Sequence, residues 1–210
     1  MTDSRIILGP DNSPLLILAH GAGADSLSDF MPYMAEQLAS LGVQVWRFDF
    51  PYMQKRQQDG KKRPPDRADT LLQAMSQQID EAGRPCIIAG KSMGGRIASM
   101  LAHTPPLQPS VKGCACLGYP FHPLGKPERL RIDHLQSLQV PQLIVQGERD
   151  PMGTQTEVAG YTLDAGVQWL WLEDGDHDFK PRKASGLTQQ QHWLTAADAV
   201  AAFVKQHLGQ

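Results

Sequence analysis

The segment Gly90-Lys91-Ser92-Met93-Gly94 places a serine midway between two glycines. An apolar run typical of a buried strand, residues 86–89, leads into it, and a helical pattern follows. In a sharp turn from strand to helix, a serine in this position is lifted above the sheet, and the glycines are needed because the backbone segments pass too close for side chains. The spacing therefore predicts a nucleophile, Ser92, with helix amides pointing at the same place.

This segment has two other interpretations. A glycine-rich turn with an incidental serine is the first, and the strand before and helix after argue against it. The second is a phosphate-binding loop, because Gly90-Lys91-Ser92 imitates its end. That loop needs a glycine five positions earlier, where this chain has Pro85, and residues 86–89 are apolar strand where the loop would already turn. We therefore reject nucleotide binding here.

A serine hydroxyl becomes an effective nucleophile when an imidazole takes its proton and a carboxylate orients that imidazole. After a turn of this kind, the partners follow in the order acid, then histidine, each just past the end of a strand. Asp150 follows one predicted strand and is the predicted acid, with Glu148 as the alternative. His177 follows the next strand, residues 167–172, and is the predicted base.

The chain has seven histidines, but only His177 combines this order with this position. The other six lie on predicted helices, away from strand ends, or in the glycine-rich loop described next: His20, His103, His122, His134, His192 and His207. The aspartates around His177 resemble the start of a calcium loop, but Phe179 occupies its glycine position and Ser185 its glutamate position. We therefore predict no metal site and no cofactor.

Acyl transfer also needs N–H groups that stabilise the developing oxyanion. One predicted donor is the backbone amide of Met93, the residue after the nucleophile. A glycine-rich run, His20-Gly21-Ala22-Gly23, follows the first long predicted strand. We assign the second donor to the amide of Ala22, with Gly21 or Gly23 as alternatives.

Short apolar runs alternate with amphipathic stretches along the whole chain. This alternation predicts an α/β fold with a mostly parallel sheet of six or seven strands and helices on both faces. The predicted strands cover residues 15–19, 43–48, 86–89, 114–117, 143–145 and 167–172, with 6–8 at an edge. Helical patterns cover residues 30–41, 71–79, 97–101 and 193–204. The basic segment 51–67 is predicted to be a long exposed loop.

The composition is that of an ordinary globular protein: 210 residues, 41% apolar, 20% charged and a net charge of −2. These values predict a single domain over residues 1–210 and give no sign of a nucleic-acid partner. The first apolar run is too short for a signal core or a membrane span, so we expect no membrane association and a cytoplasmic location. The three cysteines lie in apolar runs and are predicted to be buried and unpaired.

Six motifs distributed over nearly the whole chain resemble those of the α/β-hydrolase superfamily, near its dienelactone-hydrolase-like branch. They are HGAGAD at 20–25, FDFPYM at 48–53, RPPDR at 63–67, GKSMGGR at 90–96, QGERDP at 146–151 and GDHDF at 175–179. Dienelactone hydrolases carry cysteine where this chain has Ser92, and the sequence is more similar to the small testis-expressed-protein-thirty-like group. The resemblance implies the α/β-hydrolase fold and a Ser92–Asp150–His177 triad.

The same resemblance places the basic segment 51–67 near the rim of the site. Arg63 or Arg67 would then be able to pair with an anionic group of the substrate, and a solvated loop is the alternative. Only residues 120–138 are available for a cap, so we predict no large cap domain and a shallow, open site. Tyr52, Tyr119 and Phe121 are candidate wall residues, with plain packing as the alternative.

Together these features predict a serine hydrolase that cleaves a small carboxylic ester or related acyl bond through an acyl-enzyme on Ser92. Its predicted partner is a small-molecule acyl substrate. The alternative is a non-catalytic protein-interaction module that has kept the fold.

Overall fold

The computed structural model describes residues 5–209 and arranges seven strands in one sheet. The strands are β1 (Ile6–Leu8), β2 (Leu15–Ala19), β3 (Gln44–Phe48), β4 (Cys86–Lys91), β5 (Val111–Leu117), β6 (Gln142–Gly147) and β7 (Val167–Leu172). Their order across the sheet is β1-β3-β2-β4-β5-β6-β7. Only β1 is antiparallel to its neighbour among these strands, which confirms the predicted mostly parallel sheet and its short edge strand.

Six α-helices accompany this sheet in the described residues. They are α1 (Phe30–Ser40), α2 (Pro51–Asp59), α3 (Ala68–Ala82), α4 (Met93–His103), α5 (Gln155–Val158) and α6 (Gln189–Leu208). Successive side chains of a strand point to opposite faces, so Leu16 and Leu18 of β2 join a core with α1 and α6. Leu15 and Ile17 join a second core with α2, α3 and α4. The predicted helices on both faces are therefore confirmed.

Local signals end the helices where the pattern predicts. Gly83 follows α3 in the left-handed region at φ +60°, a conformation that glycine adopts without steric cost. Gly42 likewise follows the end of α1 at φ +80°. Helix α4 ends at His103, before Pro105, whose ring cannot continue a helix.

The prediction of a long loop over residues 51–67 is wrong for its first half, which forms α2. Pro51 occupies the first turn, where its missing N–H costs nothing, and Gly60 ends the helix at φ +71°. The residues between are mostly good helix formers. Only Tyr52 and Met53 of α2 are buried, so no apolar repeat marks the helix in the sequence.

The segment between β5 and β6 contains one short 3₁₀ turn, Asp133–Leu135, which confirms the prediction of no large cap. All three cysteines are buried and free, as predicted. Within residues 5–209, the helices lack the combination of length and apolarity that crossing a bilayer requires.

Candidate active site

Ser92 lies at the sharp turn between β4 and α4. Its φ of 51° and ψ of −114° are unusual for a residue with a side chain, and such strain is typical of functional turns. The amide of Ser92 donates to the carbonyl of Leu117 at 2.9 Å, which ties the turn to β5. A Cβ atom on Gly94 would lie 2.6 Å from the carbonyl oxygens of Ala19 and His20, so a glycine is required there.

The structure brings the three predicted side chains together at the carboxyl edge of the sheet. Nε2 of His177 lies 2.8 Å from Oγ of Ser92, and Nδ1 of the same ring lies 2.7 Å from Oδ2 of Asp150. The carboxylate accepts, so Nδ1 carries the proton, and Nε2 is left to accept from the serine hydroxyl. This arrangement can remove the serine proton and stabilise the resulting imidazolium.

Asp150 is completely buried, and three donors compensate its charge. Besides His177, Nε2 of Gln146 donates to Oδ2 at 2.9 Å, and the amide of Met152 donates to Oδ1 at 2.9 Å. Because burying an unpaired carboxylate is costly, these bonds hold the acid in one orientation. The alternative acid, Glu148, instead accepts from the amide of Asp174 at 2.9 Å and so holds the loop that carries His177.

Lys91, the residue before the nucleophile, also holds the loop that carries the base. Its ammonium donates to the backbone carbonyl of His177 at 2.7 Å and lies 3.5 Å from the carboxylate of Asp178. The Nζ atom lies 5.5 Å from the centroid of the Phe179 ring, within cation–π range. Burial lowers the pKa of Lys91, and the neighbouring carboxylates of Asp178 and Asp150 oppose this shift.

The two predicted oxyanion donors belong to the segments that follow β4 and β2. Met93 is the first residue of α4, and the first amides of a helix have no partner within the helix. Ala22 lies in the loop that follows β2, the strand next to β4. The chain reverses its direction across the sheet between these two strands, and ligands of open α/β sheets bind at such points.

A cavity of about 340 Å³ opens above Ser92. Its lining includes Ser92 and His177, the loop 21–24, and Phe30 and Met31 of α1. Its size is at the small end of ligand pockets, which span about 300–1,000 Å³. A larger groove, about 530 Å³, lies between α3 and the segment after α4, and none of the three predicted catalytic side chains borders it.

The four predicted substrate-contacting residues do not border the cavity at Ser92. Tyr52, Tyr119 and Phe121 are at most 1% exposed, so the structure assigns them to the core and corrects their prediction as wall residues. Arg63 follows α2 and pairs with Asp59 four residues earlier. This ion pair is exposed and lies outside the lining of the cavity, so the structure does not place Arg63 at the site.

In residues 5–209, no group of three or more His, Cys, Asp or Glu side chains is arranged to hold a metal ion. The aspartates around His177 have other partners. Asp174 pairs with Arg149 at 2.8 Å and with Arg182, and Asp176 accepts from the amides of Asp178 and Lys180 at 2.9 Å. These carboxylates shape the loop that presents the imidazole.

Sequence reasoning missed the supporting roles of Lys91 and Gln146. Both are buried polar residues at or near the carboxyl ends of β4 and β6, strands whose central residues are apolar. A buried polar residue must find a partner, so this placement was the available signal. It could not identify the partner, because Lys91 contacts a residue 86 positions away.

Comparisons with known proteins are consistent with this geometry. A family model described as an alpha/beta hydrolase domain matches residues 12–205. No curated protein matches the sequence.

Three solved structures illustrate the similarity. Est1E from Butyrivibrio proteoclasticus, in a structure with ferulic acid bound, has a TM-score of 0.72 and 18% identity, covering 97% of this chain and 94% of that one. Paleococcus ferrophilus monoacylglycerol lipase has a TM-score of 0.68 and 15% identity, covering 97% and 98%. Dienelactone hydrolase from Anabaena variabilis has a TM-score of 0.65 and 21% identity, covering 97% and 89%. At such low identities, these TM-scores show a shared fold and no more. The family model, which spans almost the whole length, establishes that this chain belongs to the alpha/beta hydrolase domain family.

Proposed function

We propose that this chain is a serine hydrolase that cleaves a small carboxylic ester or thioester through an acyl-enzyme on Ser92. The single observation that carries the proposal is the position of the His177 imidazole, 2.8 Å from the Ser92 hydroxyl and 2.7 Å from the Asp150 carboxylate. A structural histidine gains nothing from bridging a strained serine at the edge of a cavity to a buried acid. A general base gains its proton acceptor and its orientation from that bridge.

In the proposed reaction, Oγ of Ser92 attacks the acyl carbon while Nε2 of His177 takes the hydroxyl proton. The carbonyl oxygen becomes an oxyanion, which the amides of Met93 and Ala22 stabilise. The bond to the leaving group then breaks, and His177 returns the proton to the leaving oxygen or sulfur. A water molecule, deprotonated by the same imidazole, attacks the acyl-enzyme and restores Ser92.

The test is covalent labelling by a fluorophosphonate probe, which reacts with an activated serine. We expect the wild-type protein to be labelled at Ser92 and the Ser92→Ala variant to remain unlabelled, because the reagent requires a nucleophile activated by its neighbouring base. Ser99→Ala is a matched control, since Ser99 also lies 2.8 Å from a histidine but is fully buried. Peptide mapping by mass spectrometry identifies the modified residue.

A folded wild-type protein that resists the probe would contradict the proposal and favour a non-catalytic interaction module. Labelling that persists in Ser92→Ala would assign the nucleophile to another side chain.

A second prediction concerns the size of the acyl group. The cavity of about 340 Å³ gives a long acyl chain little surface against which to pack. We expect kcat/KM for p-nitrophenyl acetate and butyrate to exceed that for the octanoate and palmitate by about tenfold or more. The corresponding thioesters provide the second series. Rates that rise steadily with chain length would contradict a small acyl site.

Three further predictions accompany this proposal. We propose that residues 1–210 act as one domain, that the chain is related to the testis-expressed-protein-thirty-like group within the family, and that it functions in the cytoplasm. They rest on the sequence motifs and composition discussed above.

A further inference from the structure

The loop that follows β2 is held by its carbonyl groups. The Tyr52 hydroxyl lies 3.0 Å from the carbonyl oxygen of Ala22 and 3.2 Å from that of Gly21. The carbonyl of Gly21 has a second donor, Nδ1 of His20 at 2.6 Å, whereas the carbonyl of Ala22 accepts from the Tyr52 hydroxyl. Two successive carbonyl groups of the loop therefore share the single hydroxyl proton of one side chain of α2.

The next peptide group of this loop follows the same pattern. A guanidinium nitrogen of Arg56, one turn further along α2, lies 3.4 Å from the carbonyl oxygen of Gly23. Helix α2 thus contacts the carbonyl oxygens of three consecutive residues, Gly21 to Gly23. The Tyr52 contacts are the shorter and better buried of these, because Tyr52 is 1% exposed.

The directions of these carbonyl groups determine where the N–H groups of the same peptides point. The peptide bonds of the loop 21–24 are trans. In a trans peptide the C=O and N–H point in opposite directions. The carbonyls of Gly21 and Ala22 point to α2, so the amides of Ala22 and Gly23 point away from it, and both residues border the cavity at Ser92. Successive amides that face one side form a concave site for an anion.

From this we infer that Tyr52 is a positioning residue that aims the amides of Ala22 and Gly23 at the oxyanion formed on the substrate. The inference rests on the proposed function, because it requires Ser92 to attack an acyl carbon. It also assigns a role to α2: this helix carries the tyrosine and packs against the loop that the tyrosine orients. Tyr52 acts through the loop and does not itself contact substrate.

A glycine-rich loop needs such a support. No heavy atom lies within 4 Å of the position that a Cβ of Gly23 would occupy, so no neighbour packs against this residue on that side. Glycine also adopts most backbone conformations at little cost, so these peptide groups rotate easily unless hydrogen bonds hold them. Burial raises the pKa of Tyr52, so its hydroxyl keeps its proton and remains a donor. The ring is fixed in turn by an edge contact with His20, centroid to centroid 5.8 Å.

The test compares Tyr52→Phe with Tyr119→Phe, using p-nitrophenyl butyrate. Tyr119 is a matched control because it is equally buried and its hydroxyl also donates to a backbone carbonyl, that of Arg131, at a distance of 2.7 Å. Tyr119 does not line the cavity at Ser92. Removing an oxyanion donor itself costs about 10²–10³ in kcat. We expect Tyr52→Phe, which leaves the donor but frees its direction, to lower kcat by about 10- to 100-fold with KM nearly unchanged. Tyr119→Phe should keep the wild-type kcat.

Two readouts separate positioning from a general loss of structure. The affinity for a boronic acid, which forms a tetrahedral adduct with serine, should fall in Tyr52→Phe by the same factor as kcat. Backbone NMR order parameters of residues 22–24 should fall in that variant, while those of β4 should match the wild type. This measurement needs no catalytic activity.

The outcomes distinguish the two levels of inference. An active wild-type enzyme with equal kcat in both tyrosine variants overturns the role of Tyr52 and leaves the proposed hydrolase intact. An inactive wild type that resists the fluorophosphonate probe overturns the hydrolase itself. A fall in kcat with unchanged boronic acid affinity also overturns the positioning role, since the loss would then arise outside the oxyanion site.

Discussion

Replacing His177 by alanine is expected to lower kcat for p-nitrophenyl butyrate by about 10⁵- to 10⁶-fold, close to the loss expected for Ser92→Ala. The two side chains act as a unit, because the hydroxyl attacks only when the imidazole 2.8 Å away accepts its proton. The double variant should therefore be scarcely slower than either single variant. Steady-state kinetics at high enzyme concentration measures all three.

The chain contains a suitable control in a second serine–histidine pair. Oγ of Ser99 lies 2.8 Å from Nε2 of His134, the same separation as in the candidate active site. Ser99 is fully buried, and burial lowers the pKa of His134 to about 4. We expect His134→Ala to keep kcat within a few-fold of wild type. If it abolished turnover and His177→Ala did not, the site would have been assigned to the wrong pair.

Asp150→Asn is expected to lower kcat by about 10⁴-fold. The amide has nearly the shape of the carboxylate, so the fold should survive, but the NH₂ group facing His177 can donate. Nδ1 would then become the acceptor, and the proton would move to Nε2, which could no longer accept from the Ser92 hydroxyl. The imidazolium would also lose the negative charge 2.7 Å away that stabilises it.

Glu148→Gln provides the comparison, because it removes a carboxylate from the same loop. Glu148 accepts from the amide of Asp174, a bond that the side-chain oxygen of glutamine reproduces. Thermal unfolding should show both variants folded. Should the glutamine variant lose activity and Asp150→Asn retain it, the acid would be Glu148, the alternative that the sequence left open.

The elements that position the site were predictable because simple periodicities mark them. β2 and β7 coincide with their apolar runs, and β4 extends its run by two residues into the glycine turn. Gly83 and Pro105 limit the helices for reasons that depend only on local sterics. The position of His177 after β7 followed from the order of the strands.

The contacts that orient the site were not predictable, because they join residues remote in sequence. From the sequence, Tyr52 is predicted to line the wall of the substrate site, since an aromatic ring near a predicted site is a natural contact for substrate. In the structure its ring is buried, and its hydroxyl reaches a loop about 30 positions earlier. Helix α2 was not predicted, because only two of its residues are buried and the residues after them are polar, so the sequence shows no apolar repeat.

The bond from Lys91 to the carbonyl of His177 has a mechanical consequence. The lysine is covalently adjacent to the nucleophile, so the backbone of the base is hydrogen-bonded to the same strand end that carries the serine. We expect a displacement of this strand end to move both reacting groups in the same direction and to change their separation less than it moves either one. The proton-transfer distance should in this way be insulated from motions of β5 and β6, the two strands that lie between β4 and β7.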